Sequence, residues 1–529
     1  MRLRGPTGTR TTVTKGLAGV SAGLALSRRT DIMANSTSIY GEPRVAQRNE
    51  RRRSMRKITS NGTIAAAVMV FAAILAVIVA NSPAYEFFHK VFEAPLTVGF
   101  GPAMVSISFE AFVNDFLMAI FFLLVGIELK YEVTVGQLRK PRQAALPMLA
   151  AVGGVAMPAI IYVLLNLGGA THGWAIPIAT DIAFALGVMS LLGDHISPET
   201  KVFFQTLAIA DDILAIVVIA LFYGGTLNVA WIAASLGAIL VLWGLNHMRV
   251  YSLKPYTIVG FVLWVCMFNS GIHATLAGVI LAFFLPAKSD VRLGSLHDWL
   301  DRRAEKLENT YDAEQHVLGQ HDFTHTAKSI ENVIHHVTPP LERMERYISV
   351  PVNFLILPLF AFVNAQLLIV GADLGAIVAD PVARGVFFGA VLGKPIRIIG
   401  VTWVLVKVGF AKLPKHVDWL QIIAVGLFGG LGFTMSILIS GLAFSDPNEV
   451  MAAKCAILMG SVTAAILGLV YVRVAMAVRE RGRAAAEGED ADDEEPSGRA
   501  LEEPDAADVR ELVGDDEDDE GEGGAEAGR

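Results

Sequence analysis

Long apolar runs alternate with short polar ones along most of this chain. Each run is close to the roughly 20 residues that a helix needs to cross a bilayer core. Twelve segments carry the pattern: 63–82, 109–130, 145–168, 174–193, 202–223, 229–246, 254–270, 273–286, 350–371, 384–406, 419–443 and 451–475. The eighth is the shortest, and the polar stretch 287–349 separates it from the ninth. The pattern predicts an all-α polytopic membrane protein with twelve transmembrane helices and, at 287–349, a solvated loop containing a short amphipathic helix.

Composition strengthens that reading. Hydrophobic residues make up 53% of the 529 positions and charged residues 18%, with mean hydropathy +0.51. A soluble chain of this length is far more polar. The charges divide the chain into three parts. Residues 1–57 form a basic, disordered N-terminal extension, in which Met33 and Met55 are alternative starts; residues 58–478 form the helical body; residues 479–529 form an acidic tail. Within the tail, 484–529 carries 20 acidic residues against three arginines, a net −17 that leaves the rest at +9 within a chain total of −8. Such a segment cannot bury enough apolar surface to fold and is expected to be solvated.

Basic residues also set the orientation. Arg51, Arg52, Arg53, Arg56 and Lys57 precede the first segment, while Arg473, Arg479, Arg481 and Arg483 follow the last. The connections 224–228, 271–272 and 444–450 contain no Lys or Arg. The positive-inside rule then places both termini in the cytoplasm, as an even number of crossings requires. Cys266 and Cys455 both fall in apolar segments and provide no disulfide framework.

Charges inside the apolar segments are the candidates for chemistry. Asp211 and Asp212 are the tenth and eleventh residues of the segment 202–223, near the bilayer midplane. A charged Asp at that depth costs about 2.5–3.5 kcal/mol even on insertion scales, so both must face protein or a water-filled cavity. Adjacent helical residues point about 100° apart, so each can meet a different partner. Asp115, Asp181 and Lys394 lie in other segments, with Lys394 near the middle of its own. A single buried charge is often half of a structural ion pair; four carboxylates and a lysine at similar depth point to ion handling.

Two segments are interrupted. The fourth contains Pro177 and Thr180-Asp181, and the eleventh carries glycines at 426, 429, 430 and 432. Each is the middle member of a triplet, helices 3–5 and 10–12, and the triplets begin on opposite sides of the membrane. That arrangement predicts inverted-topology repeats with two interrupted helices crossing at the binding site, with Asp181 and Lys394 offsetting the half-helix dipole ends. Glycine-mediated close packing is the structural alternative for the eleventh.

TDIAFALGV (180–188), LAIADDILAIVVIALFY (207–223), SGIHATLAG (270–278), LILPLFAFVNA (355–365), FLLVGIELKYE (122–132) and GLGFTMS (430–436) closely resemble the NhaA-type Na⁺/H⁺ antiporters, in order, from about residue 60 to 475. The resemblance implies a pH-regulated, electrogenic transporter of the bacterial inner membrane that exchanges Na⁺ and Li⁺ for H⁺ in sodium and pH homeostasis. It implies no enzyme activity, no cofactor and no nucleic-acid partner; its partners are the transported ions, membrane lipid and, in many members, a second copy. By resemblance, Asp212 is the main cation-binding carboxylate, and Asp211 is its partner at the Na⁺ site, paired with Lys394 and contributing to proton coupling. Thr180 and Asp181 belong to the unwound crossing, and Asp115 is a further carboxylate near the site. Glu128, Glu132, His273 and Glu345 match pH-responsive positions, mostly at the cytoplasmic mouth.

The chain departs from that pattern at Tyr131, Arg346 and Arg397. Arg397 lies three residues from Lys394 on nearly the same helix face, where it either acts on Lys394 or faces the inner mouth. Two other functions weigh less. An Na⁺-coupled symporter of an organic solute needs a larger polar pocket, and an intramembrane aspartyl protease needs two carboxylates facing each other from different helices. The histidines of 287–349 lack metal-site spacing, and GAVLGK (389–394) lacks the full phosphate-loop spacing.

Overall fold

A computed structural model describes residues 62–492 apart from 101–102, 137–138, 140, 369, 371–372, 411 and 415. The whole basic extension, 1–57, and most of the acidic tail lie outside the described residues. The architecture is all-α apart from one hairpin. Nine helices are long and apolar enough to cross a membrane, and two bent helix pairs raise the number to eleven, among the described residues.

The chain opens with α1 (Gly62–Ala80) and the short α2 (Tyr85–Glu93). An antiparallel hairpin follows, β1 (Pro95–Phe100) with β2 (Ala103–Ser108), in the register Pro95 opposite Ser108. Then come α3 (Phe109–Thr134) and α4 (Pro141–Leu165). A 3₁₀ segment (Thr171–Ile178) and α5 (Ile182–Ser190) form the first bent pair, at 40°. Next are α6 (Pro198–Phe222), α7 (Val229–His247), α8 (Leu253–Ser270) and the short α9 (Leu276–Phe284). The stretch 287–349 is more ordered than the expected loop. It holds α10 (Leu296–Thr310) and α11 (His321–Val337), and α12 (Pro340–Asn364) begins inside it. After α13 (Leu374–Ala379) and α14 (Pro381–Lys407), the second bent pair is α15 (Trp419–Gly429) with α16 (Phe433–Ala443), at 41°. The last helix, α17, runs Pro447–Asp492. Contacts divide the chain at Val474, and the unit from Ala475 is described only as the end of α17.

Local chemistry starts and stops these helices. Ser197 caps α6 by accepting from the Thr200 N–H, with Pro198 at the first helical position and Glu199 in the first turn. The Ser197 hydroxyl also donates to Gln421 Oε1 at 2.9 Å, joining the starts of α6 and α15. At the end of α8, Gly271 adopts φ +82, and a Cβ there would sit 2.1 Å from the Thr226 carbonyl oxygen, so only glycine closes this turn. Three long helices widen into π-type turns: α3 at Phe112–Leu117, α12 at Val352–Ile356 and α14 at Gly389–Gly393. Such bulges re-aim the side chains beside them. Two of the three fall at candidate residues, one on Asp115 and one immediately before Lys394.

Side chains sort as a lipid-solvated bundle requires. Phe122, Tyr162, Ile176, Phe360 and Phe433 pack in the centre. Phe71, Leu221, Val229 and Leu240 are more than half exposed on their helices. An apolar exterior is unfavourable in water and normal against acyl chains. The chain is a multi-pass membrane protein.

Candidate functional site

The two interruptions meet. The Asp181 N–H donates to the Leu431 carbonyl at 2.7 Å, linking the break of the first bent pair to that of the second. Ser436 Oγ donates to the Ile176 carbonyl at 2.7 Å. At Gly432 an added Cβ would lie 2.6 Å from the Ala179 oxygen, so the backbones cross at a distance that only glycine permits. The glycines of the eleventh segment thus serve close packing and the interruption together.

Four half-helix ends converge here, each with unpaired backbone groups. Asp181 serves both N-terminal ends. Its Oδ1 accepts from the Phe184 N–H at 3.0 Å, capping α5. Its Oδ2 accepts from the Thr434 N–H at 3.1 Å and from Thr434 Oγ1 at 2.7 Å, capping α16. A carboxylate suits the positive end of a helix and an ammonium the negative end. Lys394 meets the second condition. Its Nζ donates to the Ala179 carbonyl at the end of the 3₁₀ segment, and to Thr180 Oγ1 at 3.3 Å. The wide turn of α14 directly precedes it, and the side chain is fully buried.

Asp211 and Asp212 are both buried on α6. Asp211 pairs with Arg397 and not with Lys394, the partner that the resemblance implied. Arg397 Nη2 donates to both Asp211 oxygens, and Thr180 Oγ1 donates to Oδ2 at 3.1 Å. The departure is steric as well as electrostatic. Lys394 and Arg397 share a helix face, but Lys394 is already engaged at the crossing, and the guanidinium is the group that arrives at Asp211. Asp212 differs from its neighbour: its Oδ1 is buried without a hydrogen-bond partner. A buried carboxylate oxygen with nothing to accept from is costly, and one held at a functional site is there to receive something.

The other expected residues are spread along the molecule. Asp115 lies apart from the crossing, on the wide turn of α3. It lines a cavity of about 270 Å³ with Glu110, Asn114, His273, Asn364 and Lys454. Asn114 and Asn364 donate to each other across that cavity, at 3.3 and 2.7 Å. His273, in the turn between α8 and α9, contacts the Tyr223 carbonyl at the end of α6 through Nε2. It is therefore remote from the other three groups matched to pH response. Glu128 and Glu132 lie on the last turns of α3, and Glu345 is on the first turns of α12, which pack against α3. Arg346 faces outward and pairs with Glu342 at 2.7 Å, and Tyr131 is half exposed, so neither departure touches the crossing. Arg397 does.

Thr434 and Lys454 drew no attention in the sequence. Thr434 sat inside a quoted motif, GLGFTMS, and a hydroxyl just after a glycine break is the signal for a half-helix cap. Lys454 lay at the edge of an apolar run, where a lysine ordinarily reaches for the interface.

Residues 56–472 match the family described as Na⁺/H⁺ antiporter 1. The chain is 40% identical over 418 residues to the Na(+)/H(+) antiporter NhaA of Oleidesulfovibrio alaskensis, covering 79% of this chain and 93% of that one. It is 41% identical over 406 residues to the proteins of the same name from a Janthinobacterium species, covering 76% and 89%, and from Helicobacter pylori, covering 76% and 90%. Interrupted helices cross at buried aspartates, in a membrane-spanning bundle aligned with these relatives over most of their length, and the chain belongs to the Na⁺/H⁺ antiporter 1 family.

Proposed function

We propose that this chain is a secondary transporter of the bacterial inner membrane that exchanges cytoplasmic Na⁺, and Li⁺, for external H⁺ by alternating access. The observation that carries the reading is Asp212: a buried carboxylate in the centre of a membrane-spanning helix, its Oδ1 unpartnered. Carboxylate oxygens suit hard alkali cations, and a proton competes for the same lone pairs. One site can then carry either ion across in turn, and the gradient of one drives the other without ATP.

The remaining groups take roles from their contacts. Asp181, Thr434 and Lys394 hold the crossing, whose oxygens complete the cation's coordination. Lys394 donates to the uncharged oxygens of Ala179 and Thr180 and keeps its charge beside the bound cation, and the exchange is electrogenic, with more protons than sodium ions moved per cycle. Thr180 bridges Lys394 and Asp211. The cavity at Asp115 is the external entrance, and Glu128, Glu132 and Glu345 form the cytoplasmic mouth through which pH regulates access, with His273 at the other end. The short α9 is the twelfth crossing, the two triplets are inverted repeats, and both termini are cytoplasmic. The body at 58–478 performs transport. A protease would need two free carboxylates facing each other, whereas Asp181 and Asp211 are both engaged.

Everted membrane vesicles with a respiratory pH gradient and a fluorescent pH probe test the proposal. Na⁺ or Li⁺ should collapse the gradient in wild type and leave it intact in Asp212→Asn. Equal collapse by K⁺, or full activity in Asp212→Asn, would contradict it.

A further inference from the structure

Arg397 places a fully buried guanidinium inside the candidate ion site, beside Lys394, rather than at the inner mouth. Its Nη2 reaches both oxygens of Asp211, and Thr180 takes a further lone pair of Oδ2. A carboxylate offers about four acceptor positions, and those facing the guanidinium are closed to a cation, which would meet a positive charge at contact distance. Asp212, one residue on, points about 100° away around the helix and keeps Oδ1 unpartnered. Charge balance leads to the same division. Asp181, Asp211 and Asp212 face Lys394 and Arg397, so with all five ionised the buried cluster has a formal charge of −1. One monovalent cation cancels it. Without Arg397 the charge would be −2, with two adjacent carboxylates open to the ion.

We infer that Arg397 is a positioning residue that withholds Asp211 from the transported cation, making the site a one-carboxylate, one-charge site centred on Asp212. This rests on the reading of Asp212 as the cation ligand. Arg397 does not touch the ion; it sets how tightly the ion is held. Tight holding slows release, so a site that must load and unload on every cycle gains from a withheld ligand.

The test compares half-saturating Na⁺ and maximal rate in proteoliposomes for wild type, Arg397→Gln, Arg397→Lys and the charge-balanced double variant Asp211→Asn/Arg397→Gln. Removing the guanidinium should lower half-saturating Na⁺ by about tenfold and lower the maximal rate with it, since the ion binds to two carboxylates and leaves slowly. Arg397→Lys, which keeps the charge but not the reach, should shift half-saturation by about twofold. The double variant removes both the extra ligand and its counter-charge, so half-saturation should return to within about threefold of wild type. A purely structural role predicts lower rates at unchanged half-saturation, and that result would overturn the inference. So would a rise in half-saturating Na⁺ in Arg397→Gln, or a double variant as tight as the single. Should Arg397→Gln not survive extraction, the double variant and Arg397→Lys decide: near-wild-type half-saturation in both supports the assignment, and loss of all transport in both overturns it. Failure of the underlying reading looks different, since wild type itself would then show no Na⁺-driven proton movement.

Discussion

Asp181 and Asp212 are the same chemical group, equally buried in the same bundle, and they are treated in opposite ways. Asp181 accepts three hydrogen bonds, two of them from backbone N–H groups that begin two different half-helices. Asp212 has an oxygen with no partner. The difference follows from the backbone around each. Asp181 stands where a helix stops and restarts, so main-chain donors point at it. Asp212 lies in mid-helix, where every neighbouring N–H is already paired within α6. A carboxylate at a break becomes a structural clasp; in mid-helix no main-chain donor is free, so Asp211 is taken up by the Arg397 side chain while Asp212 keeps an oxygen without a partner.

The comparison breaks most readily at Asp181. Replacing it with Ala leaves two helix starts without an acceptor, at a cost on the order of 3 kcal/mol. Thermal unfolding of the detergent-solubilised protein should show a fall of many degrees for Asp181→Ala and a clearly smaller one for Asp181→Asn, whose amide oxygen still accepts. Equal falls would mean that charge, not capping, matters there. Thr434→Val removes one hydroxyl bond from the clasp and should cost about 1 kcal/mol in the same experiment. Asp212→Asn should move the other way or not at all, because it removes a buried charge that the folded protein leaves unpartnered. A large destabilisation by Asp212→Asn would erase the contrast.

The smallest effect is expected outside the membrane-spanning segments. Arg343 Nη1 donates to His335 Nδ1 at 2.7 Å, Arg343 Nη2 donates to the Tyr251 carbonyl, and the Tyr251 ring stacks on His336, fastening α11 to the bundle. Desolvation and then the Arg343 guanidinium hold the His335 imidazole below its ordinary value of 6.5. A lowered histidine contributes fully above the unfolded value and loses that contribution as pH falls below 6.5. Amide exchange in His321–Val337 should therefore speed up between neutral and mildly acidic pH, and His335→Gln should remove that dependence.

Much of this arrangement was legible in the sequence. The segment 202–223 became α6, Pro198–Phe222, because a long apolar run between a serine cap and a glycine turn has one stable form in a bilayer. The breaks at Thr180-Asp181 and at the glycines near 430 were visible for the same reason. The hairpin Pro95–Ser108 and the helix Tyr85–Glu93 were not, since short elements of mixed polarity have no span-length signal. The partner of Asp211 was also out of reach. Lys394 and Arg397 share a face, and which one arrives depends on the carbonyl of Ala179, 215 residues away in the chain. The hydroxyl of Thr434 acquires meaning only once the two breaks are seen to touch.

Calorimetric titration of Na⁺ into purified wild type, Asp181→Asn and Asp212→Asn tests the division of labour most directly. Wild type and Asp181→Asn should both bind, the second with some loss of stability, and Asp212→Asn should give no binding heat. Na⁺ binding retained in Asp212→Asn, or abolished in a folded Asp181→Asn, would contradict it.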